Sequence, residues 1–328
     1  MPVPVTGKKE EKRSLLDSVR AGCAYVAKKA THVAIHTDKI SGYVAGLIDR
    51  YPITTALNDN HFLSEDKEET ASYILALDSL NFGSGYYRIA QDDGIALSYN
   101  VLAKSLKGAF SRSELNTPEK WAAAAETDFC RIANVAAGTS DSLDRLFTLY
   151  ARHLRATGEK IIGEYQGKTL NLLKAADGSA AKLVEILAQW PTFNDFAGYE
   201  VRNIPILKRA QIAAADMELA GVAVFKDMNQ LTAFADNRVP HVLRCDGILS
   251  YSPSLAEKID NLRPLEPGSR EEVELRAAAV HTVELMAAAA KKQGRNITAV
   301  DIDHILWDRG AESEIKNRPT HRTMTVWY

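Results

Sequence analysis

The chain has 328 residues, with 40 Lys+Arg against 42 Asp+Glu, a formal net charge of -2. That balance excludes a protein that coats nucleic acid, which needs a large basic surplus to displace counterions. A hydrophobic fraction of 46% and a charged fraction of 25% exclude a disordered chain, and the length allows one large or two small domains.

Residues 1–13 are polar and lysine-rich with no apolar stretch behind them, so they read as a solvated tail rather than a signal peptide. The ordered domain is expected over 14–328. Leu15, Val19, Cys23 and Val26 fall on one helical face and predict a helix over 15–29. A second is predicted over 69–80, ending in a turn at Asn81-Phe82-Gly83-Ser84-Gly85. Segments 141–156, 180–188 and 208–220 are rich in Ala and Leu and predict three more. Strand-like alternation is weak, leaving at most a minor β-ribbon around 249–252 or at the C-terminus. Ser269 with Glu272 three residues later forms a capping-box pattern for a helix that runs to Lys292 and stops at Gly294. Thr298 with Asp301 opens another, which Gly310 ends. The fold expected is all-α, a single compact helical domain. The apolar run 277–290 is interrupted by His281 and Glu284 and is too short to span a bilayer. Cys23, Cys130 and Cys245 form no C-x-x-C, which predicts three buried thiols in a reducing cytoplasm and no disulfide framework.

No G-x-G-x-x-G, Walker A or H-E-x-x-H pattern is present. His32 and His36 lie four apart, but in a segment rich in Thr, Val and Ile, so no metal site is expected. Carboxylates, aromatics and basic groups concentrate instead in the C-terminal half. Arg209 and Asp216 share a helix face and can form an ion pair, the simplest form of which is a surface salt bridge. Phe234 and Asp236 flank Ala235 just before Asn237-Arg238-Val239-Pro240, and the proline places Asp236 near a helix terminus. That pair reads either as a grip on a flat, partly cationic ligand or as a core ring beside a capping aspartate. Asp303 and Trp307 lie four apart, with Asp308 beside the indole and Ile302, Ile305 and Leu306 as core stripe. Asp303 then sits at the edge of the buried face, where desolvation tunes its pKa; an ordinary solvated carboxylate is the other reading. Carboxylates with aromatic walls, without a nucleophilic triad, point to glycosidic chemistry.

Seven short segments occur in order: Leu77-Asp78-Ser79-Leu80-Asn81-Phe82, Lys208-Arg209-Ala210-Gln211-Ile212, Phe225-Lys226-Asp227, Phe234-Ala235-Asp236, Glu272-Val273-Glu274-Leu275-Arg276, Leu306-Trp307-Asp308 and His321-Arg322. Together they resemble the queuosine salvage family, the queuosine 5'-phosphate N-glycosylase/hydrolases, from about Val19 to Tyr328. The resemblance implies a helical fold related in shape to helical DNA glycosylases. It implies hydrolysis of the N-glycosidic bond of queuosine 5'-monophosphate, without metal or organic cofactor. The product is queuine, a 7-deazaguanine bearing an aminomethyl-linked cyclopentenediol. By the same resemblance Phe234 stacks on the base, Asp236 meets its polar edge or amine, and Asp303 faces the anomeric carbon as nucleophile or base. Trp307 and Asp308 complete the pocket, and His61 contacts the ligand unless it is an ordinary surface histidine. Lys208, Arg209, His321 and Arg322 are the candidates for the 5'-phosphate, and Asp195 is a supporting carboxylate. Asp78 and Asn81 are expected to hold the glycine turn. Arg244 and Asp246 receive no role. The partner expected is a small nucleotide, with no membrane and no stable nucleic-acid complex. Two rivals remain: a helical DNA glycosylase, and a non-catalytic base-binding or tRNA-associated protein.

Overall fold

A computed structural model describes residues 14–92 and 94–328, so the predicted tail lies outside the described residues. The helices run α1 (Leu15–Lys29), α2 (Ile40–Arg50), α3 (Lys67–Ser79), α4 (Ser84–Asp92), α5 (Tyr99–Ser111), α6 (Pro118–Ala122), α7 (Glu126–Ala133) and α8 (Asp141–Tyr165). They continue as α9 (Thr169–Ala176), α10 (Ala180–Leu187), α11 (Lys208–Leu219), α12 (Arg238–Cys245), α13 (Pro253–Asp260), α14 (Arg270–Lys292), α15 (Ala299–Arg309) and α16 (Ser313–Lys316). The protein is therefore mostly helical, as its composition predicts. Among the described residues no helix is long and apolar enough to cross a membrane.

Two short antiparallel ribbons accompany the helices. The predicted one is present: β1 (Val33–Ile35) pairs with β4 (Leu249–Tyr251), Ala34 opposite Ser250. His32 and His36 flank β1 and meet the hydroxyls of Ser252 and Ser250. A second ribbon, β2 (Phe196–Tyr199) with β3 (Arg202–Pro205), was not foreseen. It delivers the chain to Leu207, whose φ of 59° turns Lys208 into the first position of α11.

Local signals set the helix ends. Ser269 Oγ accepts the Glu272 N–H, while the Glu272 carboxylate reaches one residue further out, to the N–H of Gly268. Thr298 and Asp301 form the full reciprocal box. Helix α8 outruns its predicted end at residue 156 because burial continues through Thr157, Gly158 and Ile161. Gly158 is where α6 crosses: a Cβ there would meet the Pro118 carbonyl oxygen at 2.6 Å.

Three helices are buried on nearly every side, and they carry the polar groups that matter. Helix α3 packs on α11, facing Asp78 towards Asp216. Helix α14 belongs to two hydrophobic cores at once. Val273, Ala277 and Val280 join the core built on α3, α8 and α11, whereas Leu275, Ala278, Val283 and Met286 join that of α2, α12 and α15. A cleft opens between these cores.

Candidate active site

The segment before α12 is pinned residue by residue. Phe234 donates its N–H to Asp303 Oδ1 on α15 at 2.8 Å. The Ala235 carbonyl accepts from Arg276 Nε on α14 at 3.1 Å. Asp236 Oδ1 accepts the N–H groups of Arg238 and Val239 at 2.7 and 3.1 Å, which starts α12 despite Pro240 in its first turn. The predicted helix terminus at Asp236 is thus present. Three successive residues are tied to three different helices, so the side chains of Phe234 and Asp236 project from a fixed backbone.

They project into a cavity of about 760 Å³ between the two cores, large enough for a nucleotide. Asp303, His304, Trp307 and Asp308 line it from α15, one helical turn apart on one face. Asp303 is only 3% exposed. Burial, reinforced by the negative charge of Asp236, pushes its carboxyl well above the usual range, and the Phe234 N–H and Lys208 oppose this only in part. The environment of Asp303 therefore favours its protonated form. Phe234 packs near His304, ring centroids 5.9 Å apart. The Arg238 guanidinium lies 4.0 Å from the Trp307 ring centroid and donates to the Trp307 carbonyl at 3.2 Å. It fits there because α15 ends in Gly310, where a Cβ would stand 2.6 Å from Arg238 Cγ and Cδ.

His61 is not a surface histidine. It is buried, lines the cavity, shares a hydrogen bond through Nε2 with the Tyr99 hydroxyl at 3.1 Å, and is held through Nδ1 by Asn58. Burial lowers its pKa. Lys208 also lines the cavity. Its ammonium donates to the Asn81 carbonyl and side-chain oxygen, both at 2.9 Å, and burial brings it down to about 8.

The other predicted site residues face elsewhere. Arg209 points away from the cavity, donating to the carbonyls of Ser79 and Thr192 between the rings of Phe82 and Phe193. It therefore makes no ion pair with Asp216, which instead faces the cavity. His321 is 2% exposed beside Tyr328, and burial holds its imidazole neutral, down to about 3. Arg322 reaches Asp92 at 3.3 Å. None of these three lines the cavity, so their placement does not suit the phosphate role. Asp195 is likewise outside it. Its carboxylate takes both Arg276 amino groups at 3.0 and 2.7 Å and the Lys208 N–H at 3.1 Å, supporting the clamp on Ala235 from behind. Asn81 is engaged by Lys208, and the Gly83 turn is closed by the Tyr328 carbonyl. Arg244 and Asp246 are structural: one pairs with Asp260, the other accepts from Arg309 and Tyr43.

Arg88, Tyr99, Arg238, His304 and Lys316 line the cavity without having been picked out in the sequence, and Asp216 was picked out only as an ion-pair partner of Arg209. Arg238 and His304 adjoin residues that were, and adjacency alone was the available signal. Arg88 and Tyr99 come from the N-terminal half and carry no local signature.

Fold and cavity together define an all-α protein with a paired-carboxyl, aromatic-walled site for a small molecule. Residues 61–328 match the family described as "Queuosine salvage protein", and the chain belongs to that family. It is 33% identical over 311 residues to the queuosine 5'-phosphate N-glycosylase/hydrolase of Sphaerobacter thermophilus, covering 92% of this chain and 95% of that one. The protein of the same name from Dictyostelium discoideum is 31% identical over 339 residues, with 95% and 99% covered. That from Bos taurus is 35% identical over 192 residues, with 54% and 56% covered.

Proposed function

We propose that this chain hydrolyses the N-glycosidic bond of queuosine 5'-monophosphate, releasing queuine and ribose 5-phosphate. The observation that carries the reading is the unequal carboxyl pair, Asp303 buried so that its protonated form is favoured and Asp236 capping α12 beside it, in one cavity walled by Phe234 and Trp307. A 7-deazapurine is a poor leaving group because carbon replaces the ring nitrogen that otherwise takes a proton. The enzyme must then stabilise positive charge on the sugar and help the base depart. This distribution exchanges the roles expected from the sequence. Asp236 faces the anomeric carbon, stabilises the oxocarbenium-like centre and takes the proton of the attacking water. Asp303 donates a hydrogen bond to the base as the glycosidic electron pair moves onto it. Phe234 stacks on the ring, with Trp307, Asp308 and His61 closing the walls. Arg88, Arg238 and Lys316, with Lys208 deeper in, supply the cations for the 5'-phosphate.

We take 14–328 as one catalytic domain, since α14 is shared by both cores. The substrate is a free nucleotide rather than a nucleic acid, and a cytoplasmic location belongs to the same reading. The test is to incubate the protein with queuosine 5'-monophosphate and with queuosine, following queuine by chromatography. Release from the nucleotide, reduced about 1,000-fold or more in Asp236→Asn with substrate binding retained, is expected. Absence of release by folded wild-type protein overturns the enzymatic reading in favour of a binding role.

A further inference from the structure

At its deep end the cavity is bounded by groups that the hydrolytic chemistry does not use. Asp216, on α11, is 7% exposed and lines the cavity, and its carboxylate accepts no hydrogen bond among the described residues. Asp78 lies behind it with no exposed surface, and its Oδ2 is buried without a partner. Tyr99, hydrogen-bonded to His61, closes the same end. Burial pushes the Asp216 carboxyl up to about 7, against the pull of Lys208, and burial and Asp216 together push Asp78 higher than usual. Two carboxyl groups so placed favour a proton on the pair over two bare charges.

An unpartnered acid at a cavity wall is costly unless something that binds there satisfies it. Arg88 and Lys316, both exposed to solvent, also line the cavity. The cavity lining thus offers solvent-exposed cations together with a buried, unpartnered carboxyl. A ligand that is anionic at one end and cationic at the other matches it. We propose that Asp216, backed by Asp78 and flanked by Tyr99, forms a subsite for the secondary ammonium group that the substrate's 7-substituent carries. This rests on the N-glycosidase reading above and names what makes that site selective for an amine-bearing deazapurine. The ammonium takes the place of the proton held between the two carboxyls. That proton leaves to solvent, and the ammonium donates its N–H groups to Asp216.

The experiment is calorimetric titration of three bases: queuine, 7-aminomethyl-7-deazaguanine, which keeps the amine without the diol, and 7-deazaguanine, which has neither. Wild type, Asp216→Asn and Asp216→Glu are compared. Asp216→Asn is expected to weaken both amine-bearing bases about 100-fold and to leave 7-deazaguanine little changed, which also shows that the fold is intact. Asp216→Glu, which keeps the charge, should retain a preference for the amine. Equal weakening of all three bases overturns the subsite, as does a loss confined to queuine, which assigns the contact to the diol. If wild type releases queuine while Asp216→Asn keeps full affinity, only the subsite falls. If wild type neither releases nor binds queuine, the N-glycosidase reading falls with it.

Discussion

Replacing Arg276 by methionine tests how the cavity is held in shape. Arg276 gives two N–H groups to Asp195 and a third to the Ala235 carbonyl, and both ion-pair partners are almost wholly buried. Without it, the Asp195 carboxylate keeps only the Lys208 N–H. Removing one member of a buried pair costs about 3–5 kcal/mol. The orphaned Ala235 carbonyl adds about 1 kcal/mol. Against a total stability on the order of 5–15 kcal/mol this leaves a protein that folds only marginally, so the assay is urea unfolding at low temperature. The double variant Arg276→Met/Asp195→Asn removes the stranded charge and should recover about 2 kcal/mol or more relative to the summed single costs. In the folded fraction kcat should fall as well, because Phe234 and Asp236 flank the released carbonyl. A cost below about 1 kcal/mol for the single variant, or costs that simply add, refutes the clamp.

Other outcomes follow from the same geometry. Asp303→Asn should lower kcat with little change in KM. In wild type the protonated acid persists below its raised pKa and is lost as pH rises through it, so the alkaline limb of the kcat profile should disappear in the variant. Gly310→Ala drives a methyl group into Arg238 and should raise KM for the nucleotide more than for the nucleoside, measured side by side. Asp216→Asn has a stability signature of its own. A carboxyl raised from 3.8 to about 7 in the fold stabilises fully below the lower value and loses that stabilisation as pH climbs to the higher. The variant's midpoint in urea, relative to wild type, should therefore increase between those limits and level off above them. A flat difference contradicts the buried, shared proton.

What the sequence disclosed was local. Helix 15–29 was legible because four apolar residues repeat on one face, and the starts at Ser269 and Thr298 because caps need only nearby atoms. The ribbon from Phe196 to Pro205 was not, since Gly198, Glu200 and Asn203 break the alternation that marks a strand. The site divides the same way. Phe234, Asp236, Asp303 and Trp307 sit close to caps and core stripes, which fix where they point. Lys208 and Arg209 are adjacent on α11 and diverge by about 100° around the helix axis. One enters the cavity and the other the core, a choice made by the facing α3 rather than by their own neighbours. His61 and Tyr99 meet across 38 positions of chain, and no pattern within either segment announces the partner.

The shared helix α14 has a thermodynamic corollary. With its two faces committed to different cores and the cleft between them, neither core offers a separate unfolding unit that spares the cavity. A nucleotide in that cleft would touch α4, α5 and α11 residues on one side and α12 and α15 residues on the other. Ligand present at about 100 times its Kd adds roughly 2.7 kcal/mol to the native state. Slowed amide exchange should then spread along both cores together, not only around the bound base.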